Sequence, residues 1–197
     1  MSRVILGFVA SLLLVPGIAL AEFVYTGLEV GYVDVEFDSG AGTLDGNGYR
    51  FAGALELNEQ WFMHGEYEDR DFDSILGVGI GGSHMELGAG YAHSINGSLD
   101  FVGTAAWVNE EVNVSVPGFG AVGVDSDGIA LGGGLRARVA DSFEFGAMLQ
   151  WVDLDGGSDT GIELMGRYFF TPRYALTVET DINDNFDTLT FGFRAQF

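Results

Sequence analysis

Residues 49–70 read YRFAGALELNEQWFMHGEYEDR, and this stretch decides the fold that we expect. Before the polar triplet at 58–60, apolar residues such as Tyr49 and Phe51 alternate with charged or small ones. After the triplet the same alternation resumes at Trp61. A period of two puts alternate side chains on opposite faces of a β-strand. The stretch therefore predicts an antiparallel hairpin with one apolar face and one charged face.

The same alternation recurs in ten segments of the chain. In each segment one face is apolar and carries no charge, whereas charged residues are confined to the other face. Strands with this pattern, repeated at short intervals, predict an all-β protein. In chain order the apolar faces span 24–32, 49–57, 61–67, 85–91, 99–107, 129–137, 143–151, 162–170, 174–180 and 189–197.

The apolar faces are expected to meet lipid. The segments have about 9–11 residues, the length of a tilted strand that spans a bilayer, and their aromatic residues lie towards the segment ends. Open sheet edges cannot face hydrocarbon, so the strands must close into a barrel. We predict a transmembrane antiparallel up-and-down β-barrel of ten strands, with eight strands as the alternative and with the charges pointing inward.

The connections between the segments are of two kinds. Tight connections at 58–60, 94–97, 140–142 and 171–173 alternate with longer stretches rich in acidic residues. Short periplasmic turns and longer external loops are the rule in outer-membrane barrels, and an even strand number puts both termini on the periplasmic side. The predicted external loops are 34–48, 71–82, 110–127, 153–160 and 182–187.

An export signal precedes the first segment. Arg3 is followed by an apolar run at 4–14, a Pro-Gly pair at 16–17, and small residues at Ala19 and Ala21. This order predicts a signal helix at 1–21 that is cleaved after Ala21, leaving 22–197 as the barrel domain. An uncleaved membrane anchor is the alternative, but the apolar run is short and interrupted.

Charge and composition exclude several classes of function. The 197 residues include 29 acidic and 8 basic residues, every basic residue is an arginine, and the formal net charge is −21. A nucleic-acid-binding protein needs a basic stripe, which is missing. Without cysteine no disulfide scaffold can form, and 47% hydrophobic residues argue against disorder.

The inward charges are expected to form a salt-bridged network that fills the lumen. Unpaired charges inside a narrow barrel are costly, and small barrels hold mainly side chains. From a register centred on the turns, Arg50 and Glu86 should each lie opposite Glu68. Arg138 should face Glu144, and Arg70 should face His84. The predicted network comprises Glu29, Arg50, Glu66, Glu68, Arg70, His84, Glu86, Arg136, Arg138, Glu144, Glu163, Arg167, Glu179 and Arg194.

The acidic loops are candidates for cation binding. Oxygen ligands recur at alternate positions in 153–159 and 181–187, as hard cations prefer, although neither stretch completes a twelve-residue Ca²⁺ loop. We expect no organic cofactor, and Ca²⁺ or Mg²⁺ at these loops could bridge to lipopolysaccharide phosphates. The candidate ligands are Asp153, Asp155, Asp159, Asp184 and Asp187.

Taken together, the export signal, the alternating strands and a terminal aromatic carboxylate resemble the small outer-membrane β-barrel proteins of Gram-negative bacteria. That group includes OmpX, the OmpA barrel domain and the opacity proteins. The end of the chain, with Phe193 and Phe197 in alternation, is similar to the signal that the outer-membrane assembly machinery reads. The resemblance implies an outer-membrane location, contact with lipid and lipopolysaccharide, and a monomer.

The resemblance is weaker for function, because the group includes structural proteins, adhesins, narrow channels and a few enzymes. A structural or surface-interaction role is the leading hypothesis, and a narrow cation-leaning channel is the second. A surface enzyme near His84 is the third, since this histidine is expected beside Glu86 at the external rim. His64 and His93 stand apart, and no nucleophile elbow or metalloprotease motif is present, so we predict no catalysis.

Overall fold

In the computed structural model of the protein, which describes residues 23–38, 43–75, 77–183 and 186–197, ten strands form a closed barrel. Each strand is antiparallel to its neighbours, and the last pairs with the first. The predicted ten-strand up-and-down barrel is confirmed, and the eight-strand alternative is wrong. The strands are β1 (Gly27–Asp38), β2 (Thr43–Glu56), β3 (Trp61–Ile75), β4 (Val78–Asn96), β5 (Leu99–Val116), β6 (Gly120–Ala140), β7 (Phe143–Leu154), β8 (Gly157–Thr171), β9 (Tyr174–Ile182) and β10 (Phe186–Gln196).

The predicted signal peptide cannot be compared with the described strands. The signal peptide, with Ala19 and Ala21 at its cleavage site, lies outside the described residues. Within them, no helix is long and apolar enough to cross a membrane.

The outside of the barrel carries a broad apolar surface between two rows of aromatic side chains. Leu28, Phe51 and Leu149 are all exposed on it. At the end with the tight turns, the rings of Trp61 and Tyr91 lie 5.1 Å apart. This surface suits hydrocarbon, with aromatic residues at both interfaces. We call the end with the turns at 57–60, 97–98, 141–142 and 172–173 the periplasmic end and the opposite end the external end.

The predicted external loops are wrong in length, because the strands continue through most of them. β5 and β6 run to Val116 and from Gly120, so only 117–119 separate them. The turn between β7 and β8 is equally tight at 155–156. The acidic residues that suggested loops lie largely on outward-facing strand positions, and alternation with apolar residues keeps them in extended backbone.

The two faces of the strands exchange character where the barrel leaves the membrane. Below this point Tyr32 faces outward and Glu29 faces the lumen. Above it Val33 and Val35 are fully buried inside, whereas Asp34 and Glu36 are exposed outside. Water replaces lipid as the outer solvent at this height, so the apolar side chains turn inward and the acidic ones outward.

On the opposite side of the barrel, the extensions of β4, β5 and β6 leave the inner apolar face open. Val112, Val122 and Val124 share this face and are exposed. Phe119 lies at the hairpin tip and is 91% exposed. The tip turns through Gly118, whose φ of +82° suits glycine far better than any residue with a Cβ.

Replacing Leu149 by arginine tests the lipid-facing assignment. An arginine on the lipid face costs about 2–4 kcal/mol near the bilayer midplane. We expect the Leu149→Arg variant to fold poorly into phosphatidylcholine vesicles, measured as the fraction with heat-modifiable gel migration and by urea unfolding.

The matched control for this substitution is Val122→Arg, which places the same charge on an apolar position above the membrane. It should fold like the wild type. An equal loss of folding in both variants would contradict the boundary between the lipid-facing part of the barrel and the part above the membrane.

Candidate functional site

The lumen collects the polar side chains that the alternation predicts for it. The structure places all fourteen members of the predicted network on inward-facing positions of the strands. Hairpin register explains most of this placement: Arg50 lies opposite Glu68, and Arg138 lies opposite Glu144, as expected. The expectations for the hairpin of β3 and β4 are wrong by two residues, since Glu86 pairs with Glu66, and His84 pairs with Glu68 and not with Arg70.

Arg50 joins the two sides of the lumen. From β2, its Nη2 lies 2.6 Å from Glu66 on the neighbouring strand β3. Its Nη1 lies 2.5 Å from Glu179 on β9, three strands away around the closed barrel. The planar guanidinium can serve two carboxylates at once. The pairing between β2 and β9 crosses the lumen, so it exists only in the closed barrel.

A second ionic cluster lies at the periplasmic end of the lumen. The carboxylate of Glu144 is fully buried and accepts hydrogen bonds from two arginines of β6. Arg136 donates through Nη2 at 2.5 Å, and Arg138 donates to the other carboxylate oxygen. Removing one member of a buried group of this kind leaves uncompensated charge.

The chain before β1 lies across this cluster. Phe23 is buried, and the guanidinium carbons of Arg136 and Arg138 lie 4.9 and 5.0 Å from the centre of its ring. The ring of Tyr25 stacks on Phe62 at 4.7 Å. Cation–π contacts and stacking therefore fix 23–26 as a floor at the periplasmic end.

Polar contacts hold the same segment. The Tyr25 hydroxyl donates to Asp100 at 2.9 Å, and Arg194 donates to the Tyr25 carbonyl at 3.0 Å. Burial raises the pKa of the Tyr25 hydroxyl, so it stays protonated and keeps donating. Gly90 makes room for the floor, because a Cβ there would lie 2.0 Å from the ring of Phe62. Sequence reasoning missed this segment, whose aromatic residues read simply as the start of the first strand.

The histidines have partners that the sequence did not reveal. His84 lies 2.6 Å from Glu110, a partner that was not predicted, because β5 continues through the region predicted as a loop. His64 is not isolated, since its Nδ1 lies 3.2 Å from Glu86. Ser126 faces Glu110 from β6, which leaves the carboxylate on the strand between serine and histidine. In a nucleophilic triad the histidine lies between the other two residues.

The acidic residues of the external end spread over a wide surface. Asp153 faces outward on β7, whereas Asp159 pairs with Val152 and faces inward, so these two do not converge. Asp155 lies in the turn, Asp187 faces outward on β10, and Asp184 lies outside the described residues. The described residues contain no group of three or more acidic or histidine side chains arranged to hold a metal ion. Cation binding by these residues stays a prediction.

A cavity of about 360 Å³ remains in the middle of the lumen. Its wall is uneven, because β5, β6 and β7 contribute small or apolar residues such as Thr104, Ala130 and Met148. Glu110 of β5 and Arg136 of β6 are the charged residues that these strands add, and the other strands contribute the rest of the charged lining. The cavity is within the range of about 300–1,000 Å³ that small-molecule pockets occupy.

The charges around this cavity are segregated along the barrel axis. Arg136, Arg167 and Arg194 lie near the periplasmic ends of their strands, where Glu29 accepts from Arg167 at 3.4 Å. Arg50 and Arg70 are the arginines nearer the external end among the residues that line the cavity. Seven carboxylates accompany them there: Glu66, Glu68, Glu86, Glu110, Glu163, Glu179 and Asp181.

Solved structures share this architecture. Ail, the attachment invasion locus protein of Yersinia pestis, is 15% identical over 87% of this chain and 97% of its own, with a TM-score of 0.51. The NanC porin is 10% identical over 86% and 100%, with a TM-score of 0.53. This chain has the fold of outer-membrane β-barrels. At these identities the likeness shows the fold alone.

Two further comparisons complete this description. Ail also has a structure in complex with the heparin analogue sucrose octasulfate, which is 16% identical over 87% of this chain and 97% of that one, with a TM-score of 0.51. No family model and no curated protein matches the sequence.

Replacing Glu144 by alanine tests how much the ionic cluster of Glu144, Arg136 and Arg138 stabilises the barrel. The substitution leaves two buried arginines without their shared carboxylate, and breaking a buried pair costs about 3–5 kcal/mol. We expect the urea midpoint of the vesicle-inserted barrel to fall accordingly.

The control is Asp153→Asn, on an exposed outward position. It should stay within about 0.5 kcal/mol of the wild type. A Glu144→Ala variant as stable as this control would mean that the ionic cluster of Glu144, Arg136 and Arg138 contributes nothing to stability.

Proposed function

We propose that this protein is a sealed, non-catalytic barrel of the bacterial outer membrane that acts through its acidic external surface. The observation that carries the proposal is the floor formed by 23–26. Phe23 and Tyr25 pack at the periplasmic end against Arg136, Phe62 and Asp100, which supports a lumen that is blocked at this end. A structural or surface-interaction role in the envelope follows for a barrel that does not conduct.

The route to the membrane follows the family resemblance. The signal at 1–21 directs export through the inner membrane, and the assembly machinery reads the end of β10. Phe193 faces outward and packs against Tyr174 at 5.7 Å, and Phe197 is exposed at the periplasmic rim. Both are therefore accessible for recognition. The mature protein is a monomer surrounded by lipid and lipopolysaccharide.

The external surface favours positively charged partners. Six arginines of the strands face the lumen and Arg173 lies in a periplasmic turn, so the outward positions of the external end carry acidic residues and no arginine. Glu36 lies opposite both Asp45 and Asp187 across its two neighbouring strands. Divalent cations held there would bridge to the phosphates of lipopolysaccharide. A polyanion of the kind bound to Ail would be repelled.

A narrow cation-leaning channel is the second candidate. The seven carboxylates in the external half of the lumen favour it, because rings of acidic residues select cations. It requires the floor to move aside, which would disrupt the contacts of Phe23 and Tyr25.

Conductance of 22–197 in planar bilayers decides between the two. We expect the wild type to be silent and the double variant Phe23→Ala/Tyr25→Ala to give cation-selective steps, because the floor loses both of its rings. Heat-modifiable migration checks that each protein is folded. Phe119→Ala, which removes a ring from the exposed tip, should stay silent. Stable steps from the wild type would favour the channel and contradict the sealed barrel.

Equilibrium dialysis with ⁴⁵Ca²⁺ tests the acidic surface. We expect binding with a Kd of about 10⁻⁴–10⁻³ M, the range of extracellular modules. The triple variant Asp34→Asn/Glu36→Gln/Asp187→Asn should lose bound Ca²⁺, because it removes three neighbouring charges from β1 and β10.

A second triple variant, Asp153→Asn/Asp155→Asn/Asp159→Asn, tests the turn between β7 and β8 separately. Loss in this variant alone would assign Ca²⁺ to that turn. Unchanged binding in both variants would contradict a cation-recruiting surface, as would binding of sucrose octasulfate.

A further inference from the structure

The cavity in the lumen has a feature that a polar plug does not require. Guanidinium N–H groups without a protein acceptor lie around it: Nε of Arg50, Arg167 and Arg194. Gln196 Oε1 is the unpaired oxygen among the buried side-chain atoms of the described residues. Buried donors without acceptors are unfavourable and uncommon in native proteins. Their excess indicates that an anionic group belongs near the periplasmic half of the cavity.

Arg194 is the residue in the periplasmic half that most clearly lacks a close carboxylate partner. Its side chain is only 8% exposed, and its Nε donates to no protein oxygen. Its nearest carboxylate, Glu29, lies 3.9 Å away and also faces Arg167 and Arg50. Arg50 is held more closely by Glu66 and Glu179. Glu29 is therefore left to serve both Arg194 and Arg167, which leaves a positive excess beside the cavity.

The external half of the cavity has the opposite sign. Seven carboxylates line it, against Arg50, Arg70 and the imidazole of His84. Glu163 accepts from the uncharged amide of Gln150 at 2.6 Å, and it lies opposite Asp181 in the sheet. Two acids on adjacent strands with no arginine between them indicate a place for a cationic group.

The third side of the cavity is apolar. Ala130, Met148 and Val152 line it from β6 and β7, and Thr104 adds a single hydroxyl from β5. A ligand in this cavity would therefore meet positive charge towards the floor, negative charge towards the outside and an uncharged wall along one side.

We propose that the lumen is a blind pocket for a zwitterion, an amino acid or short peptide with an apolar side chain. Its carboxylate points to Arg194 and Arg167, its ammonium group points to Glu163 and Asp181, and its side chain packs on Ala130 and Met148. A ligand with only a negative charge would be repelled by the seven carboxylates in the external half of the cavity. A ligand with only a positive charge would leave the arginine N–H groups without an acceptor. The pocket is blind because of the floor, so the inference rests on the proposed function in that respect.

Binding of radiolabelled L-leucine and glycyl-L-leucine to folded 22–197 in detergent tests the proposal. N-acetyl-leucine, which lacks the ammonium group, and leucine amide, which lacks the carboxylate, serve as competitors with a single charge. We expect a zwitterion to bind at least about tenfold more tightly than either competitor, since each lost group removes a charge-assisted hydrogen bond. Comparing leucine with the dipeptide distinguishes a free amino acid from a peptide.

Two substitutions address the two ends of the pocket. Glu163→Gln removes one charge of an acidic pair and is therefore expected to fold, and it should weaken zwitterion binding by about tenfold while leaving competition by N-acetyl-leucine unchanged. Arg194→Gln should weaken binding of the zwitterion and of N-acetyl-leucine alike. Arg173→Gln, at the exposed periplasmic turn, is the matched control and should bind like the wild type.

The results that overturn the proposal are distinct from those that overturn the sealed barrel. Equal affinity for leucine and N-acetyl-leucine would reduce the cavity to an anion site, and equal affinity for leucine and leucine amide would reduce it to a cation site. Failure of both zwitterions to bind a folded protein would also overturn it. Conductance by the wild type contradicts the floor alone, because binding is read separately from current.

Discussion

The absence of water in the bilayer is the constraint on which the rest of the structure depends. Backbone groups in hydrocarbon must be paired within the protein, so β10 has to meet β1 and the sheet has no edge in lipid. Closure then sends every second side chain into a narrow lumen. Charges confined there need partners, and Arg50 finds one of them across the lumen at Glu179. The ionic network is thus a consequence of closure.

The exchange of faces at the external end follows from the same constraint. Alternation continues without a break from Tyr32 through Val33 to Asp34, but the solvent outside changes from lipid to water. Outward positions become acidic and inward positions become apolar, and Phe37 and Phe186 pack with ring centres 4.7 Å apart inside the barrel. Above the polar lumen lies this apolar packing on the β1 and β10 side, and below it lies the floor formed by 23–26.

Alternation and tight turns were enough to predict the strand number and the inward faces, because both depend on local sequence. The turn at 58–60 fixes the pairing of Arg50 with Glu68 in this way. Closure followed from the need to pair the sheet edges in lipid. The extended strands were missed, because acidic residues near a turn were taken as loop, although Val112 and Val114 still alternate with Glu111 and Asn113. For the same reason, the contact of His84 with Glu110 was not predicted.

Contacts across the lumen could not be predicted from neighbouring strands. The pairing of Arg50 with Glu179 and the position of Phe23 between Arg136 and Arg138 depend on the diameter and stagger of the closed barrel. Hairpin register gives only the partners on adjacent strands. The floor was the larger omission, because 23–26 continues the alternation of β1 in sequence but leaves the sheet in space.

The exclusive use of arginine links the interior to the exterior. A guanidinium has five donors in a rigid fork, so Arg50 can bind Glu66 and Glu179 together where an ammonium group would act as a single point charge. All six arginines of the strands point into the barrel, and Arg173 lies in a periplasmic turn, so the described outer surface of the external end carries no arginine. The acidic residues of the external end are then left to water and mobile cations, which screen them at little cost. An acidic exterior is therefore the counterpart of an arginine-paired lumen.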